Sequence, residues 1–269
     1  MIRLAVRVAR ERSELVLAEL LELAPGGVEE VDVDHDIVEY AVYGAPGELP
    51  SMPDVRAAAG GALVRVTSSE IADDWADRWR QFHQPLVLGN ELTVRAPWHA
   101  VGETPIDVVI DPGQAFGTGA HATTRLCLKL MLELDASGAF VDLGCGSGVL
   151  AVTAAKLGWE PVLAVDNDPA ALEAARTNAH ANGVELDVAR FDLREDRMPD
   201  GETVIANLLG PLLITIAERL ERPWRRLIAS GLLTDEADTV AAAFAAHGLV
   251  ERRRLAQGEW AALLLEVMA

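Results

Sequence analysis

Val141-Asp142-Leu143-Gly144-Cys145-Gly146-Ser147-Gly148 runs from an apolar stretch into three glycines at alternate positions, and Val149-Leu150-Ala151-Val152 follows. The pattern predicts a strand, a tight turn and the start of a helix. Glycine is favoured where the chain turns with positive φ or where a Cβ would stand between backbone amides and a ligand. A helix start also presents amide hydrogens that have no partner inside the helix. A dinucleotide site of the form G-x-G-x-x-G would need glycine at 149, where Val149 stands; the third glycine is Gly148. Asp142 precedes the first glycine by two residues, and Asp166 closes the next apolar stretch, 161–165. Anionic side chains repel a diphosphate and attract a cation. S-adenosylmethionine, with its sulfonium, ammonium and ribose diol, suits these acceptors better than a nicotinamide dinucleotide. A glycine triplet alone also occurs as a plain βα turn, and the two acids weigh against that reading.

The 269 residues are half hydrophobic, yet no uninterrupted apolar run approaches the ~20 residues of a membrane helix. Arg7, Arg10 and Glu11 interrupt the first apolar residues before a signal peptide takes shape. The expectation is a soluble, cytoplasmic, monomeric protein. Cys127 and Cys145 are the only cysteines and form neither a disulfide framework nor metal-ligand spacing. Cys145, inside the glycine turn, reads as a small residue tolerated there rather than a nucleophile.

The formal charge is −19, from 42 acidic and 23 basic residues, so no direct nucleic-acid binding is expected. The basic candidates are short: Arg225-Arg226, Arg252-Arg253-Arg254, and the scatter of Arg3, Arg7, Arg10 and Arg12. An acidic protein suits a basic protein partner through complementary long-range potential, although acidity also serves solubility alone.

The first part of the chain reads as strands over 2–8, 28–33, 37–43 and 62–66, with helices over 11–23 and 53–59. The order βαββαβ predicts a small ferredoxin-like α+β domain over 1–68, a candidate recognition module. A linker helix is expected over 69–84, with Trp75 and Trp79 on one face, where packing is the plainer role and substrate contact the alternative. The catalytic domain then spans 85–269. It opens with strands 91–96 and 105–110 read as a hairpin. From 140 onward strand and helix alternate, which predicts a doubly wound, mostly parallel sheet with an antiparallel hairpin at one edge. Ligands of such sheets sit beyond the carboxyl ends of the strands, where Asp142, Asp166, Asp192 and Asn207 fall.

A second glycine-rich segment, Asp111-Pro112-Gly113-Gln114-Ala115-Phe116-Gly117-Thr118-Gly119-Ala120-His121-Ala122-Thr123-Thr124, precedes an amphipathic helix from Arg125, for which Thr123 or Thr124 is the expected cap. A capping loop alone needs neither Phe116 nor its glycines, so a ligand-covering role is expected, with Phe116 over the cofactor and Thr124 at its amino-acid end. His121 is the candidate proton acceptor, against the plainer reading of a structural loop histidine. In Ala206-Asn207-Leu208-Leu209-Gly210-Pro211, the Asn207 side chain is placed to hold an amine with its lone pair toward a methyl donor, against the alternative of a strand-end cap. Methyl transfer from a sulfonium needs alignment more than acid-base power. A lysine or N-terminal amine must lose its proton first, which burial eases by lowering its pKa.

The segments 111–124, 142–148, 165–169 and 206–211 together resemble the bacterial methyltransferases of large-subunit ribosomal protein eleven, a ribosomal protein lysine methyltransferase family. The resemblance spans nearly the whole chain. It implies a class I S-adenosylmethionine-dependent methyltransferase fold, an N-terminal domain that binds the ribosomal protein, and transfer of several methyl groups to lysine side chains and an N-terminal amine. It also implies that Thr124, Gly144, Asp166 and Asn207 contact the cofactor, with Gly146 in the same turn, Asp166 on the ribose and Asp192 beside adenine. Asn207 is followed by Leu208-Leu209, where methyltransferases of amides and adenine carry two prolines and an aromatic residue, which favours an aliphatic amine. The rival readings are a lysine methyltransferase of another target, such as an electron-transfer flavoprotein subunit, and a binding module for the cofactor without turnover.

Overall fold

A computed structural model describes residues 2–13, 16–17, 20, 23, 28–33, 36–44, 49–70, 84–111 and 121–267. The chain divides into two units, Met1–Phe82 and His83–Ala269. In the first, strands β1 (Ile2–Ala9), β2 (Glu29–Asp32), β3 (Ile37–Gly44) and β4 (Leu63–Glu70) form a sheet of order β2-β3-β1-β4. Every neighbouring pair is antiparallel, which is the ferredoxin-like arrangement. Ser13, Val16, Leu17, Leu20 and Leu23 are helical, and Val16 and Leu20, four apart, pack on Leu4, Val6, Val8, Val38 and Tyr40. Glu11 and Arg12, expected in that helix, instead belong to a tight 3₁₀ turn, Arg10–Arg12. Helix α1 (Met52–Ala59) is capped by Ser51, whose hydroxyl accepts from the Asp54 amide. Strand β4 runs on to Glu70, into the range expected for the linker helix. Of the rest of that expected range, Gln84 is not helical, and 71–83, with Trp75 and Trp79, lie outside the described residues.

The second unit opens with a three-stranded sheet of β5 (Leu86–Leu88), β6 (Leu92–Arg95) and β7 (Ile106–Val109). Here the expected hairpin is corrected: β6 and β7 pair in parallel, and the hairpin partner of β6 is β5. The connection between β6 and β7 crosses over and is pinned by a two-pronged bond from the Arg95 guanidinium to the Asp107 carboxylate and by the Gly102 amide on Asp107.

Helix α2 (Ala122–Leu132) leads into the main sheet: β8 (Phe140–Leu143), α3 (Val149–Leu157), β9 (Val162–Asp166), α4 (Pro169–Asn182), β10 (Asp187–Arg190), β11 (Thr203–Asn207), α5 (Gly210–Arg219), β12 (Arg226–Leu233), α6 (Ala237–Ala245), β13 (Leu249–Gln257) and β14 (Trp260–Val267). The strand order is β10-β9-β8-β11-β12-β14-β13, parallel except that β14 runs antiparallel between β12 and β13. This is the class I methyltransferase topology. Alternation along β8 divides the core: Phe140 packs with Leu126, Leu130, Met131, Leu150 and Trp159, whereas Val141 and Leu143 pack with Leu213, Ile216, Val240 and Phe244. Burial of each such side chain contributes about 1.5–3 kcal/mol. Between β8 and β11 the strand order reverses, and this switch point opens a crevice at the carboxyl ends.

Candidate active site

The turn after β8 is held by β9: the Gly144 and Cys145 amides both donate to the Val165 carbonyl, at 2.8 and 3.0 Å. Gly144 and Gly148 have φ of +75° and +78°. A Cβ at Gly148 would stand 3.0 Å from the Ala175 backbone of α4, and one at Gly144 would stand 2.6 Å from Leu208 Cδ2. The space a side chain would fill at these two glycines is thus taken by the protein's own neighbours, so they serve close packing of the turn as well as approach by a ligand.

A crevice of about 420 Å³ lies over this turn, lined by Thr124, Gly144, Cys145, Gly146, Asp166, Asp192 and Asn207 together with the apolar Phe191, Leu208 and Leu212. A larger hollow, about 750 Å³, lies at the opposite ends of β9 and β10 around Trp159, Arg176 and His180. Position at the switch point, not size, singles out the former. Asp166 is half-buried; its Oδ2 accepts from the Gly146 amide at 3.0 Å and its Oδ1 from the Asp168 amide at 3.0 Å. Asp192 lies two residues past the end of β10, where its Oδ1 accepts from the Arg194 amide and its own amide donates to Asp196 Oδ2. Phe191 and Leu212 are not singled out from sequence, and Leu208 is read there only for its contrast with the prolines of other methyltransferases, not as a wall of the crevice. Phe191 sits one residue before the acid that is singled out, at a strand end where an apolar side chain reads as core.

Asn207 is the last residue of β11. Its Nδ2 donates to Thr124 Oγ1 at 3.4 Å, and its Oδ1 is buried with no donor in reach among the described residues. A buried acceptor left unpaired costs about 1–3 kcal/mol, so this oxygen is poised for a donor entering the crevice. Thr124 is fully buried in the first turn of α2.

Three expectations are corrected. Asp142 does not face the crevice: it is buried beneath the turn, where Oδ2 accepts from the Ala151 amide of α3 at 3.1 Å and Oδ1 has no partner. Burial pushes its pKa up to about 7, opposed by the Ala151 amide and aided by the charge of Asp166. The cap of α2 is His121, neither Thr123 nor Thr124; its Nδ1 accepts from the Thr123 amide at 3.4 Å and lies 2.8 Å from Thr123 Oγ1. The helix accordingly starts at Ala122, not Arg125. The His121 ring also meets Trp260 edge-on at 5.0 Å, burial lowers its pKa, and it is not among the residues lining the crevice. Phe116 lies in 112–120, outside the described residues. Cys145 does line the crevice, but burial, then the charges of Asp142 and Asp166, push its thiol far above the ordinary range, which disfavours the nucleophilic thiolate. The assembled groups suit a cationic, diol-bearing ligand with a flat ring, and an amine delivered beside Asn207.

A family model described as Ribosomal protein L11 methyltransferase (PrmA) matches residues 52–267. Curated relatives named Ribosomal protein L11 methyltransferase include one from Symbiobacterium thermophilum, 38% identical over 199 residues that make up 71% of this chain and 65% of that protein. Another, from Pseudomonas aeruginosa, is 41% identical over 197 residues, 70% of this chain and 66% of that protein. The chain thus spans just under two thirds of the length of these relatives. Among solved structures, a ribosomal protein L11 methylase from Lactobacillus delbrueckii subsp. bulgaricus superposes with a TM-score of 0.63 at 25% identity, covering 70% of this chain and all of that one.

Proposed function

The chain belongs to the ribosomal protein L11 methyltransferase family, and from that premise we propose that it methylates lysine side chains and the N-terminal amine of large-subunit ribosomal protein eleven, using S-adenosylmethionine. The observation that carries this reading is the unpaired Asn207 Oδ1 beside Thr124, in a crevice whose other wall holds Asp166. S-adenosylmethionine, when bound, supplies a methyl group on a sulfonium that departs as a neutral thioether. The residues fit such a group: Asp166 takes the ribose hydroxyls, Phe191 and Asp192 flank the adenine, and Thr124 with the turn at Gly144 and Gly146 takes the amino-acid end. Asn207 Oδ1 accepts a hydrogen from the incoming amine and fixes the direction of its lone pair, which is the alignment that direct displacement requires.

The amine must arrive without its proton. The apolar walls of Phe191, Leu208 and Leu212 disfavour the ammonium form. No histidine is among the described residues lining the crevice.

The partner reading follows from charge and from the first unit. Arg3 and Arg7 are engaged by Glu39, Arg225 by Glu202, Arg226 and Arg252 by Glu266, Arg253 by Glu133, and Arg254 by Asp238 and Glu251. With these cations neutralised, the −19 field favours a basic protein over nucleic acid. The ferredoxin-like unit supplies docking surface for that protein, which favours a ribosomal target over a flavoprotein subunit. None of the described helices is long and apolar enough to cross a membrane; the proposal further takes the protein to act in the cytoplasm, as a monomer.

Mass spectrometry of purified ribosomal protein eleven, incubated with this protein and S-adenosylmethionine, tests the proposal. Mass gains in whole methylene steps, absent with Asp166→Ala, are expected; an unmodified substrate overturns it.

A further inference from the structure

The peptide that follows Asn207 is held from two sides. Strand β12 slips its register against β14 between Ser230 and Leu232, and the residue in this bulge is Gly231, with φ of +84°. A Cβ at Gly231 would lie 2.5 Å from the Leu208 carbonyl oxygen and 2.8 Å from both its carbonyl carbon and its nitrogen. The Leu208 amide donates to the Ser230 carbonyl at 2.8 Å. On its other side the Leu208 side chain reaches the turn after β8, with Cδ2 2.6 Å from where a Gly144 Cβ would be. Leu208 is therefore seated between two residues that lack side chains, one in the bulge and one in the cofactor turn. Asn207, immediately before it, is the last residue of β11 in register with β12, opposite Ser230.

We propose that Gly231, which does not line the crevice, is a positioning residue for methyl transfer: by admitting the Leu208 peptide against the β12 bulge, it fixes the direction in which Asn207 presents its amide over Thr124. A bulge adds one residue to one strand and re-aims the side chains beside it. Here the neighbouring strand end carries the one side chain, among the described residues lining the crevice, with an unpaired buried acceptor. The left-handed conformation and the contact with Leu208 backbone, rather than with a flexible side-chain end, both require glycine. A side chain at 231 would push the Leu208 peptide away and turn Asn207 about its own backbone; the flexible end of the Leu208 side chain takes up the shift beside Gly144, and Asp166, held by the Gly146 and Asp168 amides, stays where it is. This role rests on the reading of Asn207 as the amine-holding residue.

Gly231→Ala tests it, with kinetics on ribosomal protein eleven, cofactor affinity by calorimetry, and amide hydrogen exchange of the apoprotein followed by NMR. The expected result is a kcat at least tenfold lower, cofactor affinity within about threefold of the unaltered protein, faster exchange at the Leu208 amide, and a shifted Asn207 side-chain amide resonance. A kcat within twofold despite the faster exchange overturns the proposal, as does a parallel loss of kcat and cofactor affinity. Should the variant not fold, the unaltered protein decides: slow exchange at the Leu208 amide, with or without cofactor, supports the proposal, and exchange at the rate of an exposed loop overturns it. If the unaltered protein transfers no methyl group, the reading of Asn207 falls, while the Leu208 exchange and the Asn207 resonance in Gly231→Ala still report whether the bulge positions that side chain.

Discussion

Replacing Asp142 by Asn should change how stability depends on pH in a defined way. The carboxyl is buried, keeps one hydrogen bond from the Ala151 amide, and is pushed from its ordinary value of 3.8 up to about 7. A carboxyl whose folded pKa lies above its unfolded one binds protons more tightly when folded, so the stability it confers is full below pH 3.8 and is lost as pH rises toward 7. At about 1.4 kcal/mol for each pH unit across that interval, the loss totals roughly 4 kcal/mol. Asparagine keeps an acceptor for Ala151 but places an amide donor where Oδ1 has no partner, at a pH-independent cost of about 1–3 kcal/mol. The informative quantity is therefore the difference in unfolding free energy between Asp142→Asn and the unaltered protein, from denaturant titrations between pH 3.5 and 8. That difference should climb in favour of the variant between about pH 4 and 7 and level off beyond. A flat difference would refute the assignment of a raised pKa to this carboxyl.

Asp107 should behave in the opposite sense. Burial alone would raise its pKa, but the Arg95 guanidinium and the Gly102 amide hold it below the ordinary carboxylate range, so its contribution is present above pH 3.8 and fades as pH falls through the lowered value. Asp107→Asn leaves the buried Arg95 without its counter-charge and should cost about 3 kcal/mol at pH 7, less below pH 4, by the same titrations. Gly148→Ala forces a left-handed alanine, at about 1–2 kcal/mol, with its Cβ against the Ala175 backbone; calorimetry should show cofactor affinity at least tenfold weaker in a folded variant. Asn207→Ala should lower kcat on ribosomal protein eleven about a hundredfold, with cofactor affinity little changed, in steady-state assays.

Much of this architecture is legible in local pattern. The apolar run at 140–143 followed by alternate glycines places β8, its turn and α3, and period-2 alternation places Asp142 on the same face as Phe140, under α3. That alternation already implied a buried carboxylate; its place next to the glycines suggested ligand contact instead. The position of β14 inside the sheet is likewise encoded in its unbroken Ala261–Leu265 burial, against the exposed arginines of β13. Strand pairing at longer range is not encoded so directly. Nothing local distinguishes a crossover between β6 and β7 from a hairpin loop, and β5 has only three residues. At the start of α2, His121, Thr123 and Thr124 can all cap, and the choice is made by which backbone turns first. The site residues Thr124, Gly144, Gly146, Asp166, Asp192 and Asn207 meet because strand ends converge at the switch point. The apolar walls are not legible in one dimension because Phe191 and Leu212 look like core, and Leu208 stands out only by its place after Asn207.

The crevice at the ends of β8, β9 and β11 is proposed to bind S-adenosylmethionine through the acid at position 166. Isothermal titration of S-adenosylmethionine into the protein, and into Asp166→Ala, tests it most directly. One ligand per chain and at least tenfold weaker binding to the variant are expected; no binding, or binding that Asp166→Ala leaves untouched, would contradict that assignment.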